Sequence, residues 1–335
     1  MNIKTSYIFV RHIQIGLLSA DNISRDYLAN QWGKKGTTSD ITLYTVVQND
    51  ITQTTVIPSG YPKKLLPLVI SAHMSDVSIL GVSKQGLNSE VGEIALLLDC
   101  LNMKGIRAVI GSDVKGLDSF HDQMMKVFSK LSLSTWPSAM AFDGSTAQQT
   151  REAILNQCES PRGSPDEYLA IEVDHTFPVQ GVGSVILGTV INGTVHKGQK
   201  ITAYPGNHTG TVRSIQVNDV DAKEAHPGTH VGLALKGILP KNLERGVVLG
   251  NPSEDEIREL EDVENLKVKF SAFGNKSEDH KKVHVVCGLY DTPSIITEWG
   301  NNLSIKFEKA IPFHPKTRMT ILDLNKKPAI LASKI

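Results

Sequence analysis

Between Phe177 and Ile201 the chain reads FPVQGVGSVILGTVINGTVHKGQKI, with glycines at Gly181, Gly183, Gly188, Gly193 and Gly198 among strand-forming residues. That spacing suits tight turns and close strand crossings, which a Cβ would obstruct. Short glycine-punctuated strands continue to about Pro252, which predicts a small antiparallel β-barrel over residues 166–252.

The chain before it has a different texture. Up to about Glu159, strand-like and helix-like runs alternate, the pattern of a mostly parallel sheet covered by helices. Strands are predicted at Ile13 to Leu18, in a hairpin from Ile41 to Ile57, and at Val77 to Val82, Arg107 to Ile110 and Ala139 to Phe142. Between them lie helices at Asp21 to Trp32, Pro62 to Met74, Asn88 to Met103, Leu117 to Leu131 and Thr146 to Cys158. Cys158 to Tyr168 concentrates Pro, Gly, Ser and charge, as a linker does, so the α/β domain is placed at residues 1–162. The acidic run Glu254 to Asp262 reads as a second separator, and strand-like alternation resumes over residues 264–335.

A chain of 335 residues is too long for one ordinary core, and its 40% hydrophobic, 21% charged composition is globular, in keeping with these three segments. No run reaches the roughly 18 apolar residues that span a bilayer. Arg11, His12 and Gln14 interrupt the N-terminal apolar stretch, so no signal peptide is expected and the cytoplasm is the expected compartment. Cys100, Cys158 and Cys287 fit neither a disulfide framework nor a zinc site. His226/His230 and His280/His284 have the i, i+4 spacing of helical metal ligands, but Pro227 and Gly228 break the first pair and strand-like valines surround the second, so no metal is expected. Formal net charge is zero, yet residues 264–335 carry twelve Lys/Arg against seven Asp/Glu. Local basic surface, not a bulk field, is what an RNA would meet.

The glycine-rich segment, with TVRSIQ at Thr211 to Gln216, AHPGTHVGLALKGI at Ala225 to Ile238 and ERGVVL at Glu244 to Leu249, resembles the second domain of the translational GTPases of the elongation factor Tu and selenocysteine-specific elongation factor class. The resemblance implies a multidomain chain: an α/β P-loop GTPase-like domain followed by two antiparallel β-barrels, the second closed by Leu303 to Asp323. In that family the middle barrel meets ribosomal RNA or the end of an aminoacyl-tRNA. Lys197, Arg213 and Lys236 are the candidate phosphate contacts here.

The same resemblance makes the first domain's chemistry testable. A phosphate-binding loop G-x-x-x-x-G-K-[ST] should follow the first strand, and the positions with that spacing are Ser19, Ser24, Arg25 and Asp26. Both glycines are serines, and the magnesium-ligating hydroxyl is a carboxylate. At 4 Å such a charge repels phosphate by roughly 1 kcal/mol in water and about 4 at an effective dielectric of 20. Arg25 retains positive charge, but its planar fork does not substitute for a lysine ammonium. Gly33 to Thr38 resembles a remnant of the first switch, with Thr38 at the magnesium-binding threonine and Asp40 following. The second switch, D-x-x-G-H, aligns with Ile57, Pro58, Ser59, Gly60 and Tyr61, so Gly60 alone survives. Of the guanine-reading N-K-x-D only Asp113 remains, and the later S-A-K motif has become Ala141, Phe142 and Asp143.

Together these losses imply a degenerate site with no cofactor, and a translation factor-like protein whose partners are the ribosome, tRNA or another factor, not DNA or a membrane. Two other readings fit the residues. One keeps GTP and magnesium in an altered pocket using Arg25, Thr38 and Asp113, with slow hydrolysis at most. The other is a protein-interaction scaffold unrelated to RNA, docking through the basic third domain.

Overall fold

The computed structural model describes residues 11–83, 86–111, 117–158, 163–179, 183–252, 254–272 and 281–335. The first domain is built from β1 (Arg11–Ser19), α1 (Asn22–Trp32), β2 (Lys34–Thr38), β3 (Thr42–Gln48), β4 (Ile51–Ile57), α2 (Leu66–Met74), β5 (Val77–Val82), α3 (Ser89–Cys100), β6 (Gly105–Ile110), α4 (Leu117–Val127), β7 (Ser138–Ala141) and α5 (Gly144–Leu155). Its sheet runs β2-β3-β4-β1-β5-β6-β7, parallel from β4 through β7 and antiparallel at the β2 edge. Every residue of β5 and β6 is buried because helices cover both faces, which is why these strands read as continuous apolar runs. The β3–β4 hairpin turns at Asn49 and Asp50, whose φ values of 51° and 59° are those of a two-residue turn matched to strand twist.

The second domain contains β8 (Ala170–Val179), β9 (Gly183–Asn192), β10 (Val195–His196), β11 (Lys200–Tyr204), β12 (His208–Val217), β13 (Val220–Ala222), β14 (Glu224–Ala225), β15 (His230–Lys236) and β16 (Val248–Gly250). Six strands close in the order β11-β16-β8-β9-β15-β12, with β12 returning to β11. The glycines that signalled this barrel act sterically. A Cβ on Gly188 would lie 2.5 Å from the Glu172 carbonyl, and Gly193 takes φ +71° against Leu169. Gly181 lies outside the described residues.

The third domain is a second closed barrel, β17-β20-β19-β18-β21-β22, from β17 (Arg258–Phe270), β18 (Lys281–Cys287), β19 (Tyr290–Trp299), β20 (Asn302–Phe313), β21 (Met319–Leu322) and β22 (Ile330–Lys334). The acidic run expected to be a separator is therefore strand from Arg258 onward. Glu259, Glu261 and Asp262 lie on β17, which pairs with β20 and leaves much of its length to solvent, so acidic side chains are tolerated there.

Domain three also packs on domain one. Val286, Leu322 and Ile330 join the core formed by α2, α3 and α4. His73, buried at the end of α2, bonds the Gly288 carbonyl at 2.7 Å and Thr320 Oγ1 at 2.8 Å. Arg318 Nη1 donates to the carbonyls of Ala72, His73 and Ser75 at 3.0, 2.9 and 2.6 Å, satisfying groups that a helix end leaves without intrahelical partners. Replacing Arg318 with Ala should destabilise the protein by about 2–3 kcal/mol, the scale of charge-assisted bonds to buried carbonyls. A urea-unfolding series that shows no loss would remove this contact from the account.

Candidate functional site

The segment after β1 is where the family that the sequence resembles places its phosphate-wrapping loop. β1 ends at Ser19 and α1 begins at Asn22, so Ala20 and Asp21 alone connect them. Asp21 is the N-cap. Its Oδ1 accepts from the Ile23 amide at 3.1 Å and its Oδ2 from Ser24 Oγ at 2.6 Å. A helix N-terminus is an anion site, and an internal carboxylate already serves this one.

Arg25, expected from its spacing to keep positive charge beside a phosphate, faces inward instead and is 1% exposed. Its Nη2 donates to Asn22 Oδ1 at 2.7 Å, and its Nη1 to the Ser19 carbonyl at 3.0 Å and, at a longer 3.5 Å, to that of Tyr61. Nε sits 3.9 Å from Asp26 Oδ1. Burial draws the guanidinium pKa down while Asp26 and Asp21 oppose it, and the side chain remains a cation. Ser24 is buried beneath Asp21, and Asp26 is half exposed. The residues present do not fit a magnesium-bound triphosphate, because a carboxylate holds the helix amide and a guanidinium occupies the carbonyls around the pocket.

The other motif positions are committed elsewhere. Thr38 is exposed on the edge strand β2, its hydroxyl reaching the Gly36 carbonyl at 3.5 Å. The Gly60 amide donates to the Asp40 carbonyl at 2.7 Å, and a Cβ there would lie 2.8 Å from Pro67. Tyr61 is buried with its hydroxyl on the Glu90 carbonyl at 2.9 Å. Asp143 caps α5, accepting from the Thr146 amide at 2.8 Å in a capping box. Asp113 and His280 lie outside the described residues.

A polar cluster lies at the seam of the first two domains, away from the phosphate-loop position. Arg245 grips Asp40 with two bonds, Nη2 to Oδ1 at 2.7 Å and Nη1 to Oδ2 at 3.0 Å, while Nε reaches the Asp174 carbonyl at 3.2 Å. Burial alone would lift the Asp40 pKa, but Arg245 holds it below the usual carboxylate range. Behind Arg245, the buried Asp174 carboxylate lies between His175 Nδ1 at 2.5 Å and His230 Nε2 at 2.8 Å. His175 Nε2 in turn meets Ser39 Oγ at 3.0 Å. Asp40 and His230 entered the sequence argument in other roles; Arg245, Asp174 and His175 carried no signal beyond the barrel pattern around them. His226 turns to Thr194 and Glu224, so the His226/His230 pair does not converge.

Beside this cluster a groove of about 580 Å³ separates the β2–β4 edge from the second barrel, with Lys34, Lys35, Thr37, Gln216, Asn218 and His230 among its walls. On the outside of that barrel, Lys197, Arg213 and Lys236 are all exposed. Register places Lys200 and Lys236 on either side of Thr211, with Arg213 two residues along β12. Lys200, absent from the sequence candidates, thus completes a basic row.

An α/β domain with a parallel sheet, followed by two closed six-stranded antiparallel barrels, is the architecture of an elongation-factor-type translation protein. The Elongation factor Tu domain 2 family matches residues 183–250. An uncharacterized protein of Methanocaldococcus jannaschii is 30% identical over 91% of this chain and 94% of its own length. The selenocysteine-specific elongation factor of the same organism is 30% identical over 78% of this chain, which spans 58% of that relative. The structure of translation elongation factor SelB from Methanococcus maripaludis, solved with a GTP analogue, superposes with TM-score 0.83 at 21% identity, over 97% of this chain and 79% of that one. The chain belongs to the translational GTPase superfamily, and within it is similar to the selenocysteine-specific elongation factors.

The Asp174–His230 pair gives the domain seam a pH signature. Burial disfavours both charges, but His230 pulls Asp174 below its ordinary 3.8 and Asp174 lifts His230 above its ordinary 6.5. The Asp174 contribution is present above 3.8 and lost as pH falls through its depressed pKa; the His230 contribution is full below 6.5 and lost as pH rises through its raised pKa. Thermal stability should therefore decline as pH rises from 6.5 through the raised His230 pKa, and His230→Gln should flatten the decline. Melting curves over about pH 5 to 9 that are parallel for the two proteins would contradict the pairing.

Proposed function

We propose that this protein acts in the cytoplasm as an elongation-factor-like component of translation that engages the ribosome, tRNA or another factor without a GTP cycle and without a cofactor. The observation that carries the reading is Arg25, buried on Ser19, Asn22 and Tyr61 where an active relative needs an open phosphate cradle. Removing a motif lysine weakens a nucleotide site; filling its pocket with an internal cation and capping the helix with an internal anion eliminates the vacancy.

RNA engagement is supported by different features. Lys200 and Lys236 flank Thr211 and the exposed Arg213 follows at a bulge in β12, so the barrel presents three neighbouring cations suited to a phosphate backbone. The groove beside His230 offers lysines and amides where a single-stranded end would find phosphate and base partners.

Titration with a fluorescent GTP analogue and magnesium should give no saturable binding tighter than about 1 mM, equivalent to about −4 kcal/mol. Cosedimentation with ribosomes or tRNA should be salt-sensitive, and the double change Arg213→Glu and Lys236→Glu should weaken it at least tenfold while reducing the salt slope by about two. Micromolar GTP binding sinks the first half of the reading. Absence of RNA binding even at low salt sinks the second.

A further inference from the structure

We infer that Arg25 is a tethered stand-in for the nucleotide: its guanidinium holds the two switch remnants in one arrangement and, through Asp40 and Arg245, fixes the groove between the first two domains in a permanently formed state. This rests on the reading that no nucleotide enters the first domain.

The path is continuous in the structure. Arg25 joins the end of β1, through the Ser19 carbonyl, to the second switch remnant, through the Tyr61 carbonyl. The residue before Tyr61 carries the connection onward, because the Gly60 amide is bonded to the Asp40 carbonyl at 2.7 Å. Thr42 Oγ1 and Ser59 Oγ, 2.7 Å apart, tie the same two segments a second time. The Asp40 side chain is then held by both terminal nitrogens of Arg245, whose Nε lies on the Asp174 carbonyl. Asp174 fixes His230, and His230 lines the groove. Every step is a hydrogen bond to a buried or half-buried group, and none requires a phosphate.

In the physics of nucleotide switches, loops order around a charged ligand and relax when it leaves. Here the ordering charge is covalently part of α1 and cannot leave. A side chain already in place loses no translational freedom on binding, so the ordered state needs no ligand concentration to sustain it. The groove would then meet its partner preformed, with its lysines on β2 and the polar residues of the barrel at fixed separation.

Hydrogen exchange on the full chain, without RNA or nucleotide, tests this. Arg25→Ala should raise exchange across residues 57–64 and 33–40 at least about tenfold, and more modestly across 174–176, while β18 to β21 keep their protection. Asp40→Asn should loosen 33–40 and 174–176 and leave 19–26 protected, which keeps the test decisive if Arg25→Ala does not fold. Unchanged exchange at 33–40 and 174–176 in both variants overturns the relay, as does loosening confined to residues 19–26. Adding the GTP analogue to the wild-type protein separates the two readings. Protection gained on its addition overturns the absence of nucleotide binding, whereas insensitive exchange together with silent variants overturns the relay alone.

Discussion

A guanidinium that is 1% exposed has to be solvated by the protein, and the oxygens that solvate Arg25 dictate the shape of the first domain's upper rim. An arginine keeps its charge at any physiological pH, so burial without partners would cost several kcal/mol and the loops must bring acceptors to it. They come from three places: the end of β1, the first turn of α1, and the segment after β4. Each acceptor is a carbonyl or amide oxygen of otherwise ordinary backbone and side chain. Once they converge, the guanidinium lies between them, at the position where the proposed reading leaves no place for a triphosphate.

The same logic operates at the seams. Without Arg245 the Asp40 carboxylate would lose its charged partner and keep the Ser39 hydroxyl, and without Arg318 the carbonyls of Ala72, His73 and Ser75 would lose the donor they share. Both arginines come from barrels and both partners from the α/β domain. Both lie in short connections anchored by closed strands, Arg245 shortly before β16 and Arg318 directly before β21. Apolar contact adds area, as where Val286 and Leu322 enter the first-domain core, but directional bonds fix which surfaces meet.

Much of this was legible in the residues. Val77 to Val82 is strand β5 without a residue's difference, because a short apolar run between helices has few alternatives. The second barrel announced itself through Gly188 and Gly193, whose places a Cβ would block. Lys34 to Thr38 did not: KKGTT has little strand propensity, and only pairing with β3 makes it β2. The acidic start of β17 misled for the opposite reason, since composition pointed to a linker and pairing with β20 overrode it. At the site, spacing located Ser19, Ser24, Arg25 and Asp26 in sequence but said nothing of direction. Whether Arg25 faces out to a phosphate or in to carbonyls is decided by Tyr61 and Asn22, and by α1 starting at Asn22 under the Asp21 cap. The Asp40–Arg245 pair joins residues 205 apart, beyond the reach of any local pattern.

On the proposed reading, the residues at the phosphate-loop position consequently act as a coupled set and not as independent motif positions. Restoring glycine at position 24 would leave Asp21 on the Ile23 amide, and restoring lysine at position 25 would leave the Ser19, Tyr61 and Asn22 oxygens without the planar donor set that reaches all three. Restoring a hydroxyl at position 26 would remove the carboxylate nearest the guanidinium while leaving that cation buried. Each such change taken alone removes a partner from a coupled buried network in which Arg25 Nε already lacks a hydrogen bond, and that costs more than the lost bond itself is worth. Coupling of this kind holds the rim of the first domain in a defined shape: Asp21, Ser24, Arg25 and their partners support one another, and what remains available for change is the surface, where the exposed lysines and the groove lie.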